Sequence, residues 1–430
     1  MSVYIPRTFT PDASHHDMHN VPRFTGENSF DPSETDWFIG VLLIIVPWLI
    51  LAVITTVSTC VVYLCPCCSC CVSKKKENGG GKNFLLKILF VACCLLTLAG
   101  VAFAIYGNAQ GQDGVDDART SIDSLDRSME EAISITTTAI QLTDDFTLEL
   151  DSYEDVCGET LGTNALRSAM AEAKSVLEEI LDLELRVDEA FDDADKVMDT
   201  IEKLIDVLGM IVLCFGVLVV ILMIVGTFLQ QSGACKNVAV ALRCFLLGLA
   251  IIAIFLLWVI TGLTMAGSCA AGDFCVDPDE SWMQFTDDEE VKIQLRYYAL
   301  CEGEFPLEED IQKVKRLFAG IKIGVQTLKI IVGGVCPQGQ DNVQNMDQIV
   351  DRASVLLWQV EALIQCPTFN SPYASMAYDA VCSEWFYYLL YTFIGALLGS
   401  IFFTIALFMY DAANGREDNC CCRRLGVDRD

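Results

Sequence analysis

The sequence predicts an all-α membrane protein: five transmembrane helices with a disulfide-stapled helical extracellular domain. Three observations lead there. Five long apolar runs are each long enough to cross hydrocarbon, lysine and arginine gather in the short links between them, and the cysteines divide between two compartments. A helix crossing about 30 Å of hydrocarbon needs roughly 20 apolar residues. The runs Trp37–Leu64, Phe84–Gly107, Leu204–Leu229, Val238–Gly267 and Trp385–Tyr410 meet that length. A soluble reading would need five buried helices, all well above ordinary length.

Taken in order, residues 1–36 form a polar, acidic tail with no apolar core of a signal peptide, so the first span is expected to start translocation itself. His15, His16 and His19 lie in this tail and are read as exposed and unstructured, with weak transition-metal binding as the rival. After the span 37–64, the link 65–83 carries Lys74, Lys75, Lys76 and Lys82 against Glu77. The link 230–237 after the third span (204–229) carries Lys236, and the tail 411–430 carries Arg416, Arg423, Arg424 and Arg429. Positive charge in short loops marks the cytoplasmic side. The five spans then place the N-terminus outside and the C-terminus inside.

Two large segments remain outside, 108–203 and 268–384. The first follows the span 84–107 and has Val115, Ile122, Leu125, Met129 and Ile133 at helical spacing. A second stripe runs through Leu166, Met170, Ala173, Leu177, Leu181, Phe191, Val197 and Ile201. Neither stripe carries proline, so each is expected to continue into its adjoining span as one helix, with the stripe as a bundle face. The second segment, between the span 238–267 and the final span 385–410, reads as helices over about 284–301 and 308–332. A glycine break at Gly333, Gly334 and Gly339 and a third helix over about 343–365 follow. The acidic run from Asp277 to Glu290 lacks the ligand order of a calcium loop and reads as a solvated face.

The formal charge of −30 is carried mostly outside: residues 108–203 hold 26 carboxylates against 7 basic groups. Such a surface repels nucleic acid, which is excluded as a partner, and attracts cations. No nucleophile elbow, P-loop or zinc-protease motif is present, so no enzyme is predicted. No Asn-x-Ser/Thr sequon occurs. Cys157, Cys269, Cys275, Cys301, Cys336, Cys366 and Cys382 fall outside, where disulfides persist. Cys67, Cys68, Cys70 and Cys71, with Cys65, and Cys420, Cys421 and Cys422 fall in the cytosol beside membrane helices, where S-palmitoylation is the first reading and a metal site the second.

Several patches resemble the Tweety family of five-span plasma-membrane proteins. The second span ends in FAIYGNAQGQDGV (Phe103–Val115), similar to that family's aromatic-Tyr-Gly-Asn boundary. DFCVDPD (Asp273–Asp279), YYALC (Tyr297–Cys301) and the pair Cys366 and Cys382 follow in the family's order. Prominins share five spans and a cysteine-rich first loop, but their outer segments are much larger.

The resemblance implies a homodimeric chloride channel of the plasma membrane, calcium-activated or volume-regulated. It implies nested disulfides, Cys275 with Cys382 and Cys301 with Cys366. It places a calcium site at positions matching Gln110 and Asp113, and an anion-pathway arginine nearest Arg167. The residues themselves leave an alternative: a membrane-organising or adhesion protein that binds membrane lipid in an apolar crevice. Basic rings line many anion pores, and here the spans hold only Lys87 and Arg243, both near cytoplasmic ends.

Overall fold

The computed structural model describes residues 6–23, 30, 35–64, 80–159, 161–203, 209–231, 236–286, 288–303, 305 and 307–413. All regular structure among these residues is helical. In chain order the helices are α1 (Ala13–His19), α2 (Thr35–Leu64), α3 (Gly80–Cys157), α4 (Leu161–Lys203), α5 (Gly209–Gln231) and α6 (Lys236–Val276). They continue with α7 (Pro278–Met283), α8 (Glu289–Leu300), α9 (Glu308–Val335), α10 (Gln340–Leu363), α11 (Cys366–Ala374) and α12 (Phe386–Ala413). A stretch of π-helix, Ser375–Trp385, lies between α11 and α12. The chain divides into two compact units: residues 1–10, 117–198 and 277–379, and residues 11–116, 199–276 and 380–430.

The first unit is a helical bundle with one apolar core. Buried residues on α9 (Ile311, Val314, Phe318, Ile321, Val325, Leu328) alternate steps of three and four, and α10 repeats this through Val343, Met346, Val350, Ala353, Leu357 and Val360. That average of 3.5 residues keeps one stripe facing a neighbouring helix. The parts of α3 and α4 in this unit supply the other stripes, among them Phe146 and Leu150, and Met170 and Leu177. Ion pairs fix the directions. Lys315 pairs with Glu361, Lys322 with Asp351 at 2.5 Å and Lys329 with Asp347 at 3.4 Å. The lysines ascend α9 while their partners descend α10, so the two helices run antiparallel. Arg167–Asp151 (2.5 Å) and Lys174–Asp144 (2.6 Å) show the same for α3 and α4.

In the second unit α6 packs against α2, α5, α12 and α1. The core joins Phe90 and Ala104 of α3, Val220 of α5, Leu257 of α6 and Phe403 of α12. Many large apolar side chains point outward, such as Ile54 at 57 % exposure, Ile211 at 62 % and Phe245 at 62 %. Apolar surface of that extent is matched by hydrocarbon and not by water. Side-chain hydroxyls in these helices turn back on their own backbone: Thr97, Thr261, Thr264 and Ser268 donate to carbonyls four residues earlier at 2.8–2.9 Å. This satisfies a polar group where no water is at hand.

A close helix contact runs along α3, where glycine recurs every seven residues. A Cβ on Gly100 would lie 2.8 Å from the Gly399 nitrogen, one on Gly107 2.7 Å from Thr392 Oγ1, and one on Gly114 3.1 Å from the Trp385 nitrogen. Gly395 answers from α12, where a Cβ would lie 2.5 Å from the Ala104 nitrogen. Bare backbone at these four positions lets the two helices touch, the small-residue packing of membrane helices.

Six helices among the described residues are long and apolar enough to cross a membrane by length and composition. Five coincide with the predicted runs over their described residues (204–208 lie outside these), and the sixth is α9, whose buried stripe belongs to the bundle core. Four sequence expectations change. Gly333 and Gly334 do not break α9, which ends at Val335 before Cys336 and Pro337. The fourth apolar helix runs on to Val276, nine residues past its predicted end. The acidic run is not simply solvated: Asp277 and Asp288 cap α7 and α8, and Asp279 accepts from Tyr373 and Tyr378, each at 2.7 Å.

The fourth change concerns the N-terminal tail. Residues 13–19 are helical, because Asp12 accepts from the backbone N–H groups of Ser14 (2.9 Å) and His15 (3.2 Å). His15 is buried, stacks on Phe386 at 4.2 Å and places Nε2 3.0 Å from the Cys382 carbonyl oxygen. The continuous helix α3 carries the first predicted stripe and the second span together. The join between α4 and α5 lies outside the described residues.

Candidate functional site

Among the described residues three disulfides pin the helices. Cys275 pairs with Cys382 (Cα–Cα 5.4 Å) and Cys301 with Cys366 (5.5 Å), the nesting that the resemblance implied. Cys157 pairs with Cys336 (5.9 Å), joining the ends of α3 and α9. Helix ends carrying one cysteine each were the available signal for this third pair. Cys269 stays a thiol, buried within α6. The acylation candidates Cys67, Cys68, Cys70, Cys71, Cys420, Cys421 and Cys422 lie outside the described residues.

Arg167 does not present a free positive charge. It sits on α4, 38 % of its side chain exposed, and gives Nη2 to Asp151 Oδ1 at 2.5 Å and Glu154 Oε2 at 2.6 Å. Glu172, further along the same helix, meets Lys313 at 3.3 Å. Gln110 and Asp113 are one turn apart on α3, and the Gln110 amide N–H donates to Asp113 Oδ2 at 3.3 Å. Together they bring one carboxylate and one amide, fewer groups than the six to eight oxygens that calcium takes. Among the described residues no group of three or more His, Cys, Asp or Glu is arranged to hold a metal.

An acidic cleft of about 730 Å³ lies in the bundle unit, lined by Glu178, Glu179, Asp182, Arg186, Glu290 and Asp310 among others. Arg186 fills part of its demand for positive charge, contacting Asp288 at 2.7 Å and Glu290 at 3.0 Å. The Asp288 carboxyl is held below the usual range chiefly by that guanidinium. Asp310 is pushed up by burial and by Glu179.

Two further charged sites escape sequence reasoning. Glu184 of α4 is fully buried, with Thr136 Oγ1 donating to Oε1 at 3.3 Å and Oε2 without a partner among the described residues. Burial pushes its carboxyl up to about 7. Gln294 and Tyr298 of α8, both buried, form the adjoining polar group, the amide donating to the hydroxyl at 3.1 Å. Second, Asp273 at the end of α6 is buried with Arg23, which donates Nη2 to Oδ2. The same oxygen accepts from Trp37 Nε1 at 2.9 Å, and His19 Nδ1 lies 3.1 Å from Oδ1.

The fold thus defines a class: an all-α multi-pass membrane protein carrying a disulfide-pinned helical bundle. A family model described as Tweety matches residues 13–414. The chain belongs to the Tweety family. Protein tweety homolog 2 of Xenopus tropicalis is 22 % identical over 314 residues, covering 72 % of this chain and 58 % of that protein. Protein tweety homolog 2 of Xenopus laevis is 25 % identical over 175 residues (40 % of this chain, 33 % of that protein), and protein tweety homolog 3 of Danio rerio 23 % over 327 residues (71 % and 55 %). The chain spans little more than half the length of the relatives it matches most extensively.

Proposed function

We propose that this protein has the role its family resemblance implies, a chloride channel of the plasma membrane gated by calcium or cell volume. The supporting observation is the family match, which covers every described helix. In this reading five apolar helices cross the bilayer, the bundle lies outside, and two copies assemble as a dimer. Arg167 contacts the carboxylates of Asp151 and Glu154, which argues against it as the group that draws an anion in. Calcium, where it acts, needs oxygens beyond Gln110 and Asp113.

A second reading, a lipid-binding or membrane-organising protein, is favoured by a specific observation. Arg167, Lys174, Arg186, Lys313, Lys315, Lys322 and Lys329 of the outer helices all contact carboxylates, leaving an acidic face that lowers local anion concentration. Reconstitution decides between them. Purified protein in chloride-loaded liposomes should release chloride when a potassium ionophore balances charge, and Arg167→Glu should leave the rate within about twofold. No release by wild type, alongside retention or transfer of a fluorescent phospholipid, would replace the channel reading with the second.

A further inference from the structure

The bundle leaves one side of α9 apolar and uncovered. Its core stripe, from Val314 through Phe318, Ile321 and Val325 to Leu328, is buried. On the opposite side Gly320, Ile323, Thr327, Ile330 and Gly334 follow at steps of three, four, three and four. Ile323 is 66 % exposed and Ile330 81 %, and among the described residues nothing lies within 4 Å of where a Cβ on Gly320 or Gly334 would stand. The Thr327 hydroxyl donates to the Ile323 carbonyl oxygen at 2.9 Å, so the polar side chain in this line is satisfied within its own helix. At 1.5 Å per residue the line is about 21 Å long. An exposed apolar patch of that extent, rimmed by polar residues, marks a surface of contact.

Spacing and charge say what covers it. Steps averaging 3.5 residues hold a line straight against one neighbouring helix. The small residues recur every seven, as Gly100, Gly107 and Gly114 do where α3 meets α12. The line is therefore shaped for a helix. The chain carries a formal charge of −30, yet α9 has no acidic residue from Ile311 to Val335. Lys313, Lys315, Lys322 and Lys329 of that stretch already meet carboxylates of α4 and α10. A strongly charged partner thus gains nothing from this face. Two copies of so acidic a chain repel each other wherever carboxylates meet, as at the cleft of Glu178, Asp182 and Glu290. Along α9 they can meet without that repulsion, and each copy offers the other the uncharged helix that the line is shaped for.

We infer that the line Gly320, Ile323, Thr327, Ile330 and Gly334 is the surface on which a second copy of this chain docks, α9 against α9. In such a two-fold contact each patch meets itself. Thr327, in the middle, faces its own counterpart whichever way the two helices run. The inference rests on the reading that two copies assemble and adds the surface by which they do so. It requires neither chloride conduction nor calcium.

The test is the protein mass of the purified full chain in detergent. Wild type should show twice the chain mass, and Ile330→Glu should halve it, because the seam would enclose an unpaired carboxylate. Leu148→Glu, at an apolar residue of α3 that is 64 % exposed, should leave the dimer intact. Thr327→Cys should link to its counterpart under mild oxidation, giving a reductant-sensitive band of doubled mass beyond any that wild type gives. A monomeric wild type, a dimer that survives Ile330→Glu, or a dimer in which Thr327→Cys fails to link would each overturn the inference. Proteoliposomes that capture protein-free phosphatidylcholine vesicles, and lose that capture with Ile330→Glu, would assign the face to lipid and overturn it too. Should Ile330→Glu fail to fold, the Thr327→Cys link decides alone. A dimer that releases no chloride keeps this inference and removes the channel reading, and a monomer that releases chloride does the reverse.

Discussion

At the scale of single residues, Glu184 carries the sharpest pH dependence. Its carboxyl is pushed from the ordinary 4.5 up to about 7 in the folded chain, so the native state holds a proton that the unfolded state gives up. Stability from this group is complete below about pH 4.5, falls as pH rises toward 7 and then levels, a loss on the order of 3 kcal/mol. Glu184→Gln should remove that slope, and urea unfolding at pH 5 and pH 8 measures it. Equal slopes in wild type and variant would mean that Glu184 ionises without penalty. The position was legible in hindsight: Leu177, Ile180, Glu184 and Val187 continue one buried stripe, and a carboxylate falls on a core place. Arg23 and Asp273 were not legible, because a pairing across 250 residues depends on how α1 docks and leaves no local pattern. Arg167 was reached only through the family resemblance, and its partners are set by the antiparallel register of α3 and α4.

At the scale of elements, hydrophobic periodicity located the long helices well, because a sustained stripe or a long apolar run has one structural solution. It failed where glycine was taken as a stop signal. Gly333 and Gly334 stay helical, with nothing within 4 Å of where their Cβ atoms would lie, and Cys336 and Pro337 end α9 instead. The glycines of α3 have the opposite meaning, standing where another backbone passes. The FAIYGN boundary is therefore a packing feature: Gly107 faces Thr392, and Asn108 is buried beside it. Gly107→Leu should destabilise by about 3 kcal/mol or more and lower the amount reaching the cell surface. Gly248→Ala, in open space on α6, should instead be neutral or mildly stabilising through helix propensity. Quantifying both by surface biotinylation checks the pair, and normal delivery of Gly107→Leu would show that α3 and α12 can part without harm.

At the scale of the whole molecule, charge asymmetry and hydropathy drive the proposed orientation. Lysines in the link 65–83 and arginines in the tail 411–430 favour the cytoplasmic side, and 26 carboxylates in residues 108–203 suit the outside. An epitope inserted near Gly80 should stay hidden from antibody on intact cells and appear after permeabilisation. Surface staining without permeabilisation would invert the arrangement.

The docking of α1 gives the chain an internal clock. Cys269 is wholly buried within a small cluster that includes Met18 and Val21, the residues by which the N-terminal segment covers it. A maleimide can therefore reach this thiol only during excursions in which that segment lifts, so the labelling rate reports the opening equilibrium of one local piece of structure. Gly272→Leu forces a side chain into the space of Met18 and should raise the rate several-fold, read by mass spectrometry of the peptide holding Cys269. An unchanged rate would mean that reagent reaches the thiol from another side. The same measurement, repeated across salts, lipids and temperatures, converts a single buried sulfur into a gauge of how firmly the N-terminus is latched.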